Sequence, residues 1–257
     1  MQSATGAVSM NLKSIIDTSK LPDADGLPDA DGRPEQGRCI LIGAGEQPSG
    51  AIEVCERDYV IAVDGGYDYC RNKGICPDLV LGDFDSVGRE MKKEIDRLRE
   101  VSPDKTRVLP VMKDDTDMLA ALRTGLEKGF RRFWIYGGMG GRTDHTIANI
   151  QCLLFLKKEG AQGYLLSDRE ILFVIQNETV RFSSKSYGLF SLFALQNRVS
   201  GVTIKGMKYL LNRAELTDTY PIGTSNELIG EEAEVTVEEG ALLAVMQRTA
   251  ASRTGAE

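Results

Sequence analysis

The 257-residue chain holds a single histidine, His145, and a single tryptophan, Trp134. With one histidine and no GxSxG elbow, a Ser/His/Asp hydrolase has almost nothing to be built from. The five cysteines, Cys39, Cys55, Cys70, Cys76 and Cys152, are odd in number and contain no CxxC pair. That spacing argues against a zinc site or a disulfide framework, and for reduced thiols in the cytoplasm. No apolar run approaches the roughly 20 residues of a membrane span. No basic region followed by an apolar stretch opens the chain, so no secretory signal is expected. Positive charge is also short: 31 Lys and Arg against 38 Asp and Glu give a formal net charge of -7. Nucleic acid and anionic membrane are therefore poor candidate partners, whereas an anionic nucleotide carried in with a metal is not excluded.

The hydrophobic share of 42% is enough for a substantial core, and the length suits one large or two modest domains. Residues 1–37 stand apart. They carry a tandem repeat, Leu21–Gly26 followed by Leu27–Gly32, each reading LPDADG. Pro, Gly and Asp without periodic apolar residues cannot offset the entropy of ordering, so a flexible tail is expected. The DADG units lack the further oxygen ligands and closing Glu of a calcium loop.

From Arg38 the pattern changes. Cys39–Ile42, Tyr59–Val63, Leu79–Leu81, Arg107–Val111 and Phe133–Tyr136 are apolar strands that each run into a glycine or aspartate turn. Helical periodicity lies between them, over 88–99, 116–128 and 144–158. Strand, polar turn and helix in repetition predict a Rossmann-like α/β domain with a parallel sheet. Ligands of such sheets bind beyond the carboxyl ends of the strands. After about Gly160 the segments become short and β-like: Ile171–Ile175, Thr179–Ser183, Gly188–Leu195, Val199–Ile204, Glu234–Val237 and Ala241–Met246. These predict an antiparallel β-sandwich as a second domain.

The turns carry the chemistry. V-L-G-D-F-D-S at Val80–Ser86 sets Asp83 and Asp85 just past a strand, where aspartates are costly unless a cation lies between them. Asp64, Asp114, Asp115, Asp117 and Asp144 would share the same sheet edge. Clustered carboxylates repel unless neutralised, and an all-oxygen set favours Mg. Helix capping is the alternative for each acid or neighbour taken singly: Asp115 or Thr116 for the helix from 116, Asp85 or Ser86 for the one near 88. Gly137–Asp144, reading GGMGGRTD, precedes a helix. Its free N–H groups suit a phosphate, and Arg142 could add a charge-assisted fork. His145 could move a proton or merely cap the helix. Trp134 reads as core. Tyr209 could stack on a flat heterocycle, with Thr224, Ser225 and Asn226 hydrogen-bonding it; these residues read equally well as a plain strand and turn.

In this order, Val63–Gly66, Pro77–Ser86, Lys113–Asp117, Gly137–His145 and Gly223–Asn226 resemble the motifs of the thiamine pyrophosphokinase (thiamine diphosphokinase) family. The resemblance spans about 38 to 248. It implies an α/β catalytic domain over 38–165 that binds ATP and Mg, a thiamine-binding β-sandwich over 166–250, and a homodimer with sites between subunits; residues 251–257 are expected to form a tail. The implied reaction moves a diphosphate group from ATP to the thiamine hydroxyl and releases AMP. Asp83, Asp85, Asp114 and Asp117 would hold Mg and carry catalysis, with Asp117 or Asp114 accepting the hydroxyl proton. Asp64, Gly65, Gly66, Thr116, Gly141, Arg142 and Asp144 would meet ATP and the substrates. Tyr209, where many members have Trp, would face thiamine together with Thr224, Ser225 and Asn226.

Overall fold

The computed structural model describes residues 37–85, 87–110 and 114–247. The expectations for the LPDADG repeat, Ser86, Lys113 and the last residues lie outside them.

The first five strands are β1 (Cys39–Ile42), β2 (Tyr59–Val63), β3 (Leu79–Gly82), β4 (Thr106–Val108) and β5 (Arg132–Tyr136). Helices α1 (Gly66–Lys73), α2 (Arg89–Val101), α3 (Asp117–Glu127) and α4 (Thr143–Lys158) connect them or follow them. The strands pair in parallel in the order β5-β1-β2-β3-β4. A sixth parallel strand, β6 (Gln162–Leu166), extends the other side of β5. Every residue of β1 is buried. Such continuous burial is what a parallel sheet covered on both faces requires.

The two faces separate by strand alternation. Ile40 and Ile42 of β1 share a core with Tyr67 and Cys70 of α1 and Met91 and Ile95 of α2. Cys39 and Leu41 share the other with Met118 and Leu122 of α3 and Leu153 and Leu156 of α4. Trp134 is 8% exposed and belongs to the first of these cores, as its place in an apolar strand predicts.

The sheet does not stop where the texture changes. β7 (Glu170–Gln176) pairs antiparallel with β6, then β14 (Ala241–Gln247), β9 (Tyr187–Ala194) and β12 (Asn226–Ile229) add antiparallel neighbours. The result is one ten-stranded mixed sheet, β12-β9-β14-β7-β6-β5-β1-β2-β3-β4. A second sheet, β11 (Leu211–Leu216), β10 (Val199–Lys205), β13 (Ala233–Thr236) and β8 (Thr179–Phe182), is wholly antiparallel. Phe182, Val202, Ile204 and Val235 join the core that holds α1 and α2, and Phe182 meets Phe190 edge-on at 5.2 Å. The sandwich thus closes over the antiparallel end of the large sheet. Among the described residues no helix is long and apolar enough to cross a membrane.

Candidate active site

Three carboxylates meet beyond the carboxyl ends of β2 and β3. Asp64, Asp83 and Asp117 each offer an oxygen, all within 4.8 Å of one another. Asp64 ends β2 in the left-handed region, at φ 49, a conformation that aspartate tolerates better than most residues. Its N–H donates to the Leu81 carbonyl at 2.9 Å, which ties it to the end of β3. Beside it, Gly82 leaves room for the carboxylate: a Cβ there would stand 2.0 Å from Asp64 Oδ1. Asp83 follows at once. Phe84 is buried at φ 55, so the core anchors the turn between the two acids of the GDFDS segment. Asp117 opens α3, whose N-cap is Thr116: its Oγ1 accepts from the Leu119 N–H at 3.2 Å.

Like charges so close cannot all ionise freely. Burial, then the neighbouring Asp117 and Asp83, push the Asp64 carboxyl up to about 7. Asp64 Oδ1 is buried without a hydrogen-bond partner. An orphaned carboxylate oxygen beside two further carboxylates fits a hard divalent cation, whose ligands are oxygens.

The sequence-derived ligand set was Asp83, Asp85, Asp114 and Asp117. The structure draws Asp83 and Asp117 into the triple and adds Asp64, which sequence reasoning had placed beside the substrates. Asp85 and Asp114 are exposed and lie outside the triple. The Asp85 N–H donates to Asp83 Oδ1 at 3.2 Å, which orients that carboxylate. Asp115 pairs with Arg123 at 3.1 Å. The signal that could have promoted Asp64 was local: an acid at the end of a buried strand, followed directly by two glycines. Of those, Gly65 caps α1, and a Cβ on Gly66 would strike the Ile42 carbonyl at 1.8 Å.

On the other side of β1, the loop after β5 runs through Gly137, Gly140 and Gly141 at φ 60, 77 and 70. It delivers the chain to α4, whose cap residue is Arg142. Arg142 and Asp144 are both exposed and pair at 2.6 Å. Hydrogen bonding to the guanidinium holds the Asp144 carboxyl down at about 2. The His145 N–H donates to Asp144 Oδ1 at 3.0 Å; its ring is exposed in the first turn.

The remaining expected site residues lie elsewhere. Asn226 is 5% exposed and clasps the backbone of Tyr209: its Oδ1 accepts from the Tyr209 N–H at 2.9 Å and its Nδ2 donates to the Tyr209 carbonyl at 2.8 Å. The amide is therefore spent on presenting Tyr209, a residue 59% exposed. Thr224 Oγ1 donates to the Pro221 carbonyl, and the Ser225 N–H donates to Ser191 Oγ. Asn226 opens β12, seven strand positions from β2 along the sheet, or about 35 Å at the usual strand spacing. Strand directions also put it at the edge opposite Asp64. One small molecule cannot touch both groups within one chain.

Residues 53–165 match the family model for the thiamin pyrophosphokinase catalytic domain, and residues 177–242 the model for the thiamin pyrophosphokinase vitamin B1 binding domain. The thiamine pyrophosphokinase of Bacillus subtilis (strain 168) is 28% identical over 188 residues, 72% of this chain and 85% of that protein. The crystal structure of thiamine pyrophosphokinase from Bacillus subtilis is similar at TM-score 0.71 and 27% identity, covering 82% of this chain and 100% of that one. A thiamin pyrophosphokinase family protein from Enterococcus faecalis gives TM-score 0.71 at 26% identity, covering 83% and 100%.

Proposed function

The chain belongs to the thiamine pyrophosphokinase family, and we infer that it transfers a diphosphate group from ATP to the hydroxyl of thiamine, giving thiamine diphosphate and AMP. The observation that carries the chemistry is the carboxylate triple beside a glycine loop at the same sheet edge. Asp64, Asp83 and Asp117 would hold Mg, which neutralises phosphate charge when bound. Asp85 and Asp114 are exposed outside the triple and would meet such an ion only through water. The remaining tasks are alignment and charge. Gly141 and the loop before it offer N–H groups to the ATP phosphates. Arg142 exchanges part of its pairing with Asp144 for a phosphate oxygen. Asp117 takes the hydroxyl proton, since it stands in the triple and Asp114 does not. The proton moves as thiamine's hydroxyl attacks the β-phosphorus and AMP leaves.

Tyr209, held by Asn226, is assigned to the thiamine rings together with Thr224 and Ser225, the two residues that precede Asn226 in the chain. The separation of Tyr209 from the triple supports a homodimer in which one protomer presents the platform to its partner's carboxylates. Exposed Tyr187, Leu189, Tyr209, Tyr220 and Ile222 give that end of the sandwich an apolar surface consistent with pairing.

The direct test supplies ATP, Mg and thiamine and identifies the products. AMP with thiamine diphosphate supports the assignment. ADP or free phosphate would indicate a different phosphotransferase or hydrolase built on the same acidic edge, and binding without turnover would leave only a carrier.

A further inference from the structure

The turn after β1 is stitched to the glycine loop along its length. The N–H groups of Gly43, Gly45 and Glu46 donate to the carbonyls of Tyr136, Gly137 and Met139 at 2.8, 2.8 and 2.7 Å. Gly43 and Gly137 touch back to back: a Cβ on Gly137 would stand 2.3 Å from the Gly43 carbonyl oxygen. One side chain braces the turn on its own side of this seam. Gln47 Nε2 donates to the Gly43 carbonyl at 2.5 Å and to the Gly45 carbonyl at 3.2 Å. The same nitrogen would lie 2.5 Å from a Cβ on Gly137. Two carbonyls facing one end of the amide fix its orientation. The other end, Oε1, is then buried without a hydrogen-bond partner. A buried orphan acceptor is unfavourable and needs a compensating role. Here the compensation is the seam itself. From the opposite side, Asn149 Nδ2 donates to the Gly138 carbonyl at 2.7 Å, so the loop is gripped by β1's turn and by α4.

We propose that Gln47 is a positioning residue for the nucleotide: by locking the β1 turn against Gly137 it holds the N–H groups of the 137–141 loop in the array that receives the ATP phosphates. This rests on the reading of that loop as the phosphate cradle. Gln47 does not touch substrate; it acts through Gly43 and Gly45, whose carbonyls it holds and whose N–H groups donate to the Tyr136 and Gly137 carbonyls. Gln47→Glu replaces the donor with an oxygen facing two carbonyls and loosens the seam, and Gln47→Met keeps the volume without any donor.

The experiment measures KM for MgATP and KM for thiamine in both variants and in Arg142→Ala, with circular dichroism and Tm as folding controls. The expected result is a rise of about tenfold or more in the ATP KM with the thiamine KM within about twofold, in at least one folded Gln47 variant. A general loosening of the structure would raise both together. Equal rises in both constants, or no rise in either, while Arg142→Ala does raise the ATP KM, overturns the role of Gln47 and leaves the cradle standing. An unchanged ATP KM in Arg142→Ala overturns the cradle and this inference with it.

Discussion

Asp64→Asn separates the electrostatic account of the triple from a purely structural one, because it is expected to improve stability while destroying function. Asparagine accepts the left-handed φ of 49 at this position as readily as aspartate, so the backbone need not move. The Asp64 carboxyl is raised from 3.8 to about 7 by burial and by Asp117 and Asp83. At 1.36 kcal/mol per unit, full ionisation would cost the fold about 4 kcal/mol. The group is only part-buried, and discounting for solvent leaves about 2 kcal/mol. The folded protein binds this proton more tightly than the unfolded chain does. Stability from this group is therefore present below about pH 4 and is lost as pH rises toward 7. Without metal at pH 8, Asp64→Asn should raise Tm by about 4–8 °C. At pH 5, where Asp64 is largely protonated already, most of the gain should disappear. Added Mg should raise the Tm of the parent protein and do much less for the variant. Calorimetry at the two pH values, with and without Mg, reads all four numbers. A variant less stable than the parent at pH 8 without metal, or one that keeps the full Mg effect, would refute the argument.

Other expectations follow from the same geometry. Asp83→Asn should slow turnover at least about 100-fold, about 3 kcal/mol of barrier, at saturating Mg; near-parental kcat would remove Asp83 from the ligand set. Gly82→Ala brings a Cβ to 2.0 Å from Asp64 Oδ1, so it should weaken Mg binding measured by calorimetry while circular dichroism stays unchanged. Asn226→Ala frees the backbone of Tyr209 and leaves buried groups unpaired, at a cost of about 1–3 kcal/mol; its thiamine KM should rise as in Tyr209→Ala, with the ATP KM held. At low thiamine, mixing Asp83→Asn and Tyr209→Ala protomers should give more activity than either variant alone if sites form between subunits, and no gain in a verified mixed dimer would place the site within one chain.

Most of the parallel half of the fold was legible because β1, β2, β3 and β5 are short apolar runs ending in Gly or Asp; β4, expected at Arg107–Val111, is instead Thr106–Val108, a sheet-edge strand with Arg107 and Val108 exposed. The segments expected to be helical, 88–99, 116–128 and 144–158, appear as Arg89–Val101, Asp117–Glu127 and Thr143–Lys158. Less visible was β6, Gln162–Leu166, whose polar first residue and glycine hide a strand buried on every residue. It is buried because it lies between β5 and β7, a fact of neighbours rather than of its own composition. β11, reading LNRAEL, and β12, reading NELI, were missed for a related reason: both lie at sheet edges, where exposed positions admit polar residues. The capping alternative proved right for Thr116 and coexists with the carboxylate cluster one residue later.

The chain's own order of residues determined which chemistry is available. Acids and glycines at successive strand ends, in this register, put carboxylates and a glycine loop at one sheet edge, because parallel strands share an edge by construction. Only tertiary structure decided which acids converge. Asp64 and Asp85 look alike as letters, yet the turn at Phe84 leaves Asp85 in solvent while the tie between Asp64 and Leu81 brings Asp64 beside Asp83. Tertiary structure also decided that Asn226 supports Tyr209, and that this platform lies at the far end of a ten-stranded sheet from the triple. Distances between residues far apart in the chain are set by strand order, and strand order is an outcome of packing that local sequence does not encode.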